Sequence, residues 1–108
     1  MSTERELLEL AAKAAGIKTG PYPSAGGALW DESDPQNHRL WNPIEDDGDA
    51  LRLAVKLEMM VDTVSRVVAG YLSDVCIEID YDEQEEDPEA ATRLAIVRAA
   101  AEIGRQMG

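Results

Sequence analysis

The 108-residue sequence lacks phenylalanine and contains only one cysteine, one histidine, two tryptophans and three tyrosines. With no second cysteine, no disulfide can form within the chain, and a single thiol indicates a reducing compartment. No stretch of about 18 apolar residues is present to span a membrane, and the charged residues at the beginning do not form a signal peptide. We therefore expect a cytoplasmic protein that does not associate with membranes.

Basic side chains are scarce as well. Ten Lys and Arg residues stand against 22 Asp and Glu residues, which gives a net charge of −12. The imbalance is concentrated in residues 45–87, which hold 14 acidic and 3 basic side chains. A surface this negative repels phosphate backbones, so we expect no direct binding of nucleic acid. The ligands compatible with this charge are cations, basic partner proteins and proteins that normally bind nucleic acid.

Patterns typical of catalysis are missing. His38 is the only histidine, so a zinc site or a nucleophile triad would need it together with Cys76 or distant acids, and no motif supports either. Neither glycine-rich phosphate-binding pattern occurs. The acidic run at 80–87 lacks the ordered spacing of a calcium loop, and we interpret it as a solvated loop. The acidic run at 45–49 stands at the start of a helix, and we interpret it as caps and dipole partners of that helix. We predict no enzymatic activity, no cofactor and no metal site.

Three helices are predicted from their capping residues. Thr3 and Glu6 form a capping box, and the first helix runs from there to Gly16. The second is capped by Asp46 or Asp47 and ends near residues 56–58. The third begins with Asp87 as its N-cap and Pro88 in its first turn, and it continues to about Gln106.

Four strands are predicted between these helices, at 25–30, 38–41, 61–68 and 75–82. The glycine-rich and proline-rich stretch at 17–24, the polar turn at 31–37 and the connection at 69–74 are expected to be irregular. Residues 59–72 also fit a helical period. We favour a strand there because Val61, Val64, Val67 and Val68 are branched at Cβ and favour extended backbone.

These elements predict a single α+β domain over residues 1–108. Its antiparallel sheet of about four strands packs with three helices in the order α-β-β-α-β-β-α.

The last helix carries two apolar stripes, one through Leu94 and Val97 and the other through Ile96, Ile103 and Met107. Two stripes need two neighbours: one is the sheet, and the other is either a second helix or a partner subunit. The second alternative makes Ile96, Ile103 and Met107 candidate binding residues in a homodimer.

Three further side chains are candidates for binding. Arg93 belongs to a basic strip on the last helix that can pair with acidic residues of the same chain or of a second copy. Trp30 and Trp41 would mark a binding surface if exposed; the alternative for Trp41 is to pack beneath the second helix.

Two segments of the chain are similar to a known family. The run from Trp41 to Leu57, which contains Trp-Asn-Pro-Ile-Glu-Asp-Asp-Gly-Asp-Ala-Leu-Arg-Leu-Ala, and the run from Asp87 to Arg105 resemble small phage and prophage proteins that carry the phage ABA sandwich domain. The resemblance implies a sheet covered by helices and residence in the cytoplasm of a bacterial host. It supplies no catalytic residues, because the biochemical role of that family is unknown.

Together these observations favour a non-enzymatic phage or prophage accessory protein that acts by contact with an unidentified host or phage protein. The alternative is an acidic inhibitor that mimics nucleic acid and blocks a host DNA-binding protein or nuclease. A metal-dependent enzyme that uses the carboxylates of residues 80–87 is the least favoured hypothesis.

Overall fold

The computed structural model describes residues 3–21, 29–33, 36 and 39–107, and in this part of the chain it contains three helices and six strands. The helices are α1 (Glu4–Ala15), α2 (Asp47–Lys56) and α3 (Pro88–Gln106). The strands are β1 (Thr19–Pro21), β2 (Leu29–Asp31), β3 (Arg39–Trp41), β4 (Met60–Asp62), β5 (Val67–Leu72) and β6 (Val75–Asp80).

The helices begin and end where their capping residues predict. The Thr3 hydroxyl accepts a hydrogen bond from the N–H of Glu6, and Gly16 ends α1 in the left-handed conformation, at φ 69°. Asp46 caps α2 by accepting from the N–H of Asp49, and Asp87 caps α3 by accepting from the N–H of Glu89. All three predicted helices are confirmed, because capping depends on residues close in sequence.

The strands form two sheets rather than one. Sheet A has the order β1-β2-β3 and sheet B the order β4-β5-β6, and every pairing is antiparallel. The α+β class is confirmed, but the single sheet of about four strands is wrong: the order is α-βββ-α-βββ-α. One unpredicted strand is β1, whose Gly20 and Pro21 are typical strand breakers. It lies at the edge of sheet A, where a proline is tolerated because its missing N–H does not remove a hydrogen bond between strands.

Within residues 59–72, for which we favoured a strand over a helix, the chain forms a β-hairpin. Its strands β4 and β5 are joined by a four-residue turn at 63–66. Asp62 breaks the valine-rich run, because its carboxylate accepts hydrogen bonds from the N–H groups of Val64 and Ser65. The extended conformation is therefore confirmed, but the uninterrupted strand at 61–68 is wrong. The connection predicted at 69–74 is also wrong, because residues 69–72 belong to β5 and only Ser73 and Asp74 form the turn to β6.

Helix α3 packs against α1, α2 and the inner face of sheet B. A Cβ atom on Gly104 would overlap the backbone carbonyl of Leu10, so α3 and α1 are in backbone contact there. On the sheet side, the Cδ1 of Ile103 lies 3.1 Å from where a Cβ on Gly70 would be. The second neighbour that the two apolar stripes require is thus the helix α1, within the same chain.

Residues of both sheets and all three helices share one buried apolar cluster, which includes Leu29, Trp41, Leu53, Val68 and Val97. The radius of gyration is 13.2 Å, close to the roughly 13 Å expected of a folded domain of this length. No helix in the described ranges is long and apolar enough to cross a membrane.

Candidate binding groove

A cavity of about 500 Å³ lies between α2, the beginning of α3 and the β4–β5 hairpin. We call it the groove. Its lining is mostly apolar, and the aliphatic side chains are Ala50, Leu51 and Ala54 of α2, Val61 of β4, and Pro88 and Ile96 of α3. Its charged side chains are those of Asp47, Arg66, Glu89 and Arg93. A concave apolar site of this volume with a few polar groups is typical of a binding pocket.

Arg93 holds one end of the groove together. Its Nε donates to the carbonyl oxygen of Ile44 at 2.8 Å, and its Nη1 pairs with the carboxylate of Asp47. These two contacts join the second turn of α3 to the beginning of α2. Because the pair neutralises both charges, Asp47 and Arg93 add little net charge to the site.

Tyr81 lies in the wall of the groove just after β6. Only 6% of its surface is exposed, and its hydroxyl is buried with no hydrogen-bond partner among the described residues. A buried polar group left without a partner costs about 1–3 kcal/mol. The hydroxyl oxygen itself is enclosed by the protein, so Tyr81 contributes other atoms to the lining of the groove.

The guanidinium of Arg66 lies over the Tyr81 ring, with its carbon 5.4 Å from the ring centroid. Arg66 has no carboxylate within salt-bridge distance in the described part of the chain. Its backbone is left-handed, at φ 61°, a conformation in which a non-glycine residue costs about 1–2 kcal/mol. Strained residues of this kind are concentrated at functional sites.

Apolar side chains are exposed around the groove. Leu51, which lines it, is 64% exposed, and Val64, which follows the lining residue Thr63 at the tip of the hairpin, is 92% exposed. Large exposed apolar side chains beside an apolar cavity mark a site of interaction more strongly than isolated ones do.

The structure brings together only two of the residues predicted to bind, Arg93 and Ile96, which both line the groove. Ile103 lies in the core against sheet B, and Met107 is 48% exposed at the end of α3. Trp41 is buried in the same cluster as Leu53 of α2, which supports packing beneath that helix. Trp30 is half-buried in sheet A.

Sequence reasoning missed Leu51, Arg66 and Tyr81 as groove residues. No local sequence pattern singles out Arg66 or Tyr81 as a binding residue. The groove exists because three elements far apart in sequence meet, so periodicity within any one of them could not have shown it.

The acidic runs have structural roles where the structure describes them. Asp49 is buried, accepts from the N–H of Asn42 at 3.0 Å and pairs with Arg52 at 2.7 Å. In the loop before α3, Asp82 accepts from the N–H of Gln84. Among the described residues, no group of three or more His, Cys, Asp and Glu side chains is placed to hold a metal ion. His38 lies outside the described residues.

The outer face of sheet B is not covered by a helix in the described part of the chain. It carries Tyr71 beside Cys76 and, farther along β6, the exposed residues Glu78 and Asp80. The hydrogen bond with Cys76, and then the electrostatic interaction with the same side chain, raise the pKa of the Tyr71 phenol. Cys76 itself is exposed.

Over the residues that the structure describes, the fold is thus an α+β domain with three helices and two antiparallel sheets. Comparison with protein-family models, with curated proteins and with solved structures found no significant match. The resemblance to phage ABA sandwich proteins accordingly stays a prediction.

Proposed function

We propose that this chain is a non-enzymatic binding protein and that a partner protein docks in the groove. The observation that carries the proposal is the apolar cavity of about 500 Å³ with an exposed leucine at its edge. The resemblance described above suggests that the setting is a bacterial cell that carries a phage or prophage. In that setting the protein is an accessory factor that acts by contact.

Short side chains line two walls of the groove. Helix α2 contributes Ala50 and Ala54, and the β4–β5 hairpin contributes Val61 and Thr63. A partner that places an apolar side chain against Leu51 would remove both from water, a gain of about 1.5–3 kcal/mol for a fully buried large side chain. Residues of this kind dominate the energy of protein interfaces.

A photo-crosslinking amino acid at position 51 tests the proposal in bacterial cells. We expect discrete protein adducts at position 51. The matched control is position 40, because Leu40 is similarly exposed but does not line the groove. Identical adducts at both positions, or none at position 51, would contradict docking in the groove.

The outer face of sheet B favours the second candidate function, inhibition of a nucleic-acid-binding protein. Asp62, Glu78 and Asp80 have no ion pair within the described residues, so their negative charge is available to a basic partner. Binding of this kind would weaken steeply with salt. It should be lost in the variant Glu78→Gln with Asp80→Asn and kept in Leu51→Gln, whereas docking in the groove predicts the reverse.

The homodimer through α3 also stays a proposal, and the exposure of the α3 side chains supports an interface at the end of that helix. Ile96 and Ile103 are 5% and 3% exposed, so a second copy would meet α3 mainly at its last turn, around Met107. Light scattering at high protein concentration tests this. The wild-type chain should be dimeric and Met107→Glu monomeric; a wild-type monomer excludes the dimer.

A further inference from the structure

Resting on the groove as the docking site, we infer that its occupant is a positively charged segment of the partner protein, in which apolar side chains are flanked by Lys or Arg. The apolar side chains fill the groove, and the cations lie against the acidic loop at 82–87 beside it. Burial of the apolar part and attraction of the charged part are separate contributions, and each can be measured alone.

The acidic loop joins two residues that both line the groove, Tyr81 before it and Pro88 after it. Five of its six residues are acidic. Glu83 and Glu86 are each two positions from one of these lining residues, so their backbone lies within about 7.6 Å of the lining. Charges are screened over about 8 Å at physiological ionic strength, and the field of these carboxylates is therefore only partly screened at the groove.

The charges of the lining itself cancel, so the acidic loop sets the sign of the site. In the lining, Asp47 pairs with Arg93, and the single charges of Glu89 and Arg66 are opposite. Of the five acids in the loop, only Asp82 has an ion pair among the described residues, which leaves four without one. The positive end of the α3 dipole, equivalent to about half an elementary charge, offsets only part of this excess.

Apolar surface continues beyond the groove along α2. Val55 is 68% exposed and follows Leu51 by four positions, so both side chains lie on the same face of the helix. A metal cation or a polyamine would leave this surface in water, whereas a peptide with several apolar side chains covers it. An acidic segment would meet like charge beside the groove. The occupant that satisfies both features is apolar and basic.

The test uses the full chain and three pools of acetylated, amidated peptides. All pools share a core of three residues drawn from Leu, Val, Ile and Met, and they differ only in the two residues on each side, which are Lys, Gln or Glu. A fourth peptide has Lys flanks around three serines. Chemical-shift changes of backbone amides measure the affinity and locate the site. We expect the Lys-flanked pool to bind in the groove at least about tenfold more tightly than the Glu-flanked pool and than the serine peptide.

Two double variants of equal charge test the acidic loop. Glu83→Gln with Glu86→Gln should weaken binding of the Lys-flanked pool about threefold or more and reduce its dependence on salt. Glu78→Gln with Asp80→Asn on sheet B is the matched control and should leave binding nearly unchanged. All four side chains belong to exposed residues without an ion pair in the described part of the chain. Because each variant removes two negative charges, an effect of net charge alone would be the same in both.

Single variants in the lining should act with opposite signs on the Lys-flanked pool. Glu89→Gln should weaken its binding about twofold, and Arg66→Gln should strengthen it by a similar factor, because the first removes an attraction and the second a repulsion. Leu51→Gln should weaken the Lys-flanked and Gln-flanked pools alike, because it acts on the apolar contact. The amide spectrum of each variant shows whether the fold is retained.

Equal binding of the three pools, or equal effects of the two double variants, would overturn the basic occupant while leaving docking in the groove intact. A serine peptide that binds as tightly as the Lys-flanked pool would show attraction by charge alone. Shift changes confined to the outer face of sheet B would also overturn the inference and would favour the second candidate function. If no pool binds at millimolar concentration, an apolar basic segment is excluded, and crosslinking at position 51 then decides separately whether a partner docks in the groove.

Discussion

Single residues with left-handed backbone show where the chain accepts local strain. Glu58 follows α2 at φ 52°, and the next N–H, that of Met59, donates to the carbonyl of Ala54. Gly16 occupies the equivalent position after α1, where the N–H of Ile17 donates to the carbonyl of Ala12. The two helix ends share one hydrogen-bonding pattern, but only one of them has the residue best suited to it.

Replacing Glu58 with glycine should therefore stabilise the protein. The left-handed conformation costs a non-glycine residue about 1–2 kcal/mol, and glycine avoids this cost. The greater conformational freedom of glycine in the unfolded chain offsets part of the gain, so the free energy of unfolding should rise by about 0.5–1 kcal/mol. Urea unfolding measures the difference. Glu58→Ala is the control, because it removes the carboxylate and keeps the strain; equal stabilisation by both variants would mean that charge, not backbone, is responsible.

Asp62 makes the stability of the hairpin turn depend on pH. Hydrogen bonds from the N–H and hydroxyl of Ser65, and then from the N–H of Val64, hold the pKa of the Asp62 carboxyl below its ordinary value of 3.8. A group whose pKa is lowered by folding contributes stability that is present above the pKa of the unfolded chain and is lost as the pH falls through the folded pKa.

The variant Asp62→Asn should consequently destabilise the chain at pH 7 and make little difference at pH values below the folded pKa. Urea unfolding of both proteins between pH 7 and pH 2 gives the comparison. If the two stability curves stay parallel over that range, the turn does not depend on the charged form of Asp62.

At the scale of the elements, the sequence predicts most where structure is decided locally. The ends of α1, α2 and α3 follow from Thr3, Asp46, Asp87 and the residues beside them. Strand β1 was not predicted, because its three residues include Gly20 and Pro21, which do not favour a strand locally. They form one because they pair with β2. The groove could not be predicted for the same reason, because Arg66 and Tyr81 come to lie near α2 and α3 only when sheet B packs against α3.

The contact between α1 and α3 depends on a glycine in the middle of a helix, where glycine is otherwise unfavourable. Gly104→Ala should destabilise the protein, because the new methyl group would overlap the Leu10 carbonyl and force the two helices apart. Strain of about 1–3 kcal/mol from overpacking exceeds the gain in helix propensity of up to about 1 kcal/mol.

Thermal unfolding compares Gly104→Ala with Gly48→Ala, in which the added methyl group would meet mainly the flexible side chain of Arg52 in α2. The control should be neutral or slightly stabilising. If Gly104→Ala proves as stable as the control, α1 and α3 are not in backbone contact at this point.

For the whole molecule, the shared core predicts that the two sheets unfold together. Sheet A contributes Leu29 and Trp41 to the same buried cluster as Val68 of sheet B, and α3 connects sheet B with α1 and α2. A domain of this size with one continuous core is expected to unfold in a single cooperative transition. The position of the chromophores allows each sheet to be observed separately.

Both tryptophans of the chain, Trp30 and Trp41, belong to sheet A, so their fluorescence reports on that sheet. Hydrogen exchange of the amides in β5 reports on sheet B. We expect the free energy of unfolding from fluorescence in urea to agree with the value from the slowest-exchanging β5 amides. A fluorescence transition that is complete while those amides remain protected would show that sheet A detaches first, and the single core would then be wrong as a description of what holds the two sheets together.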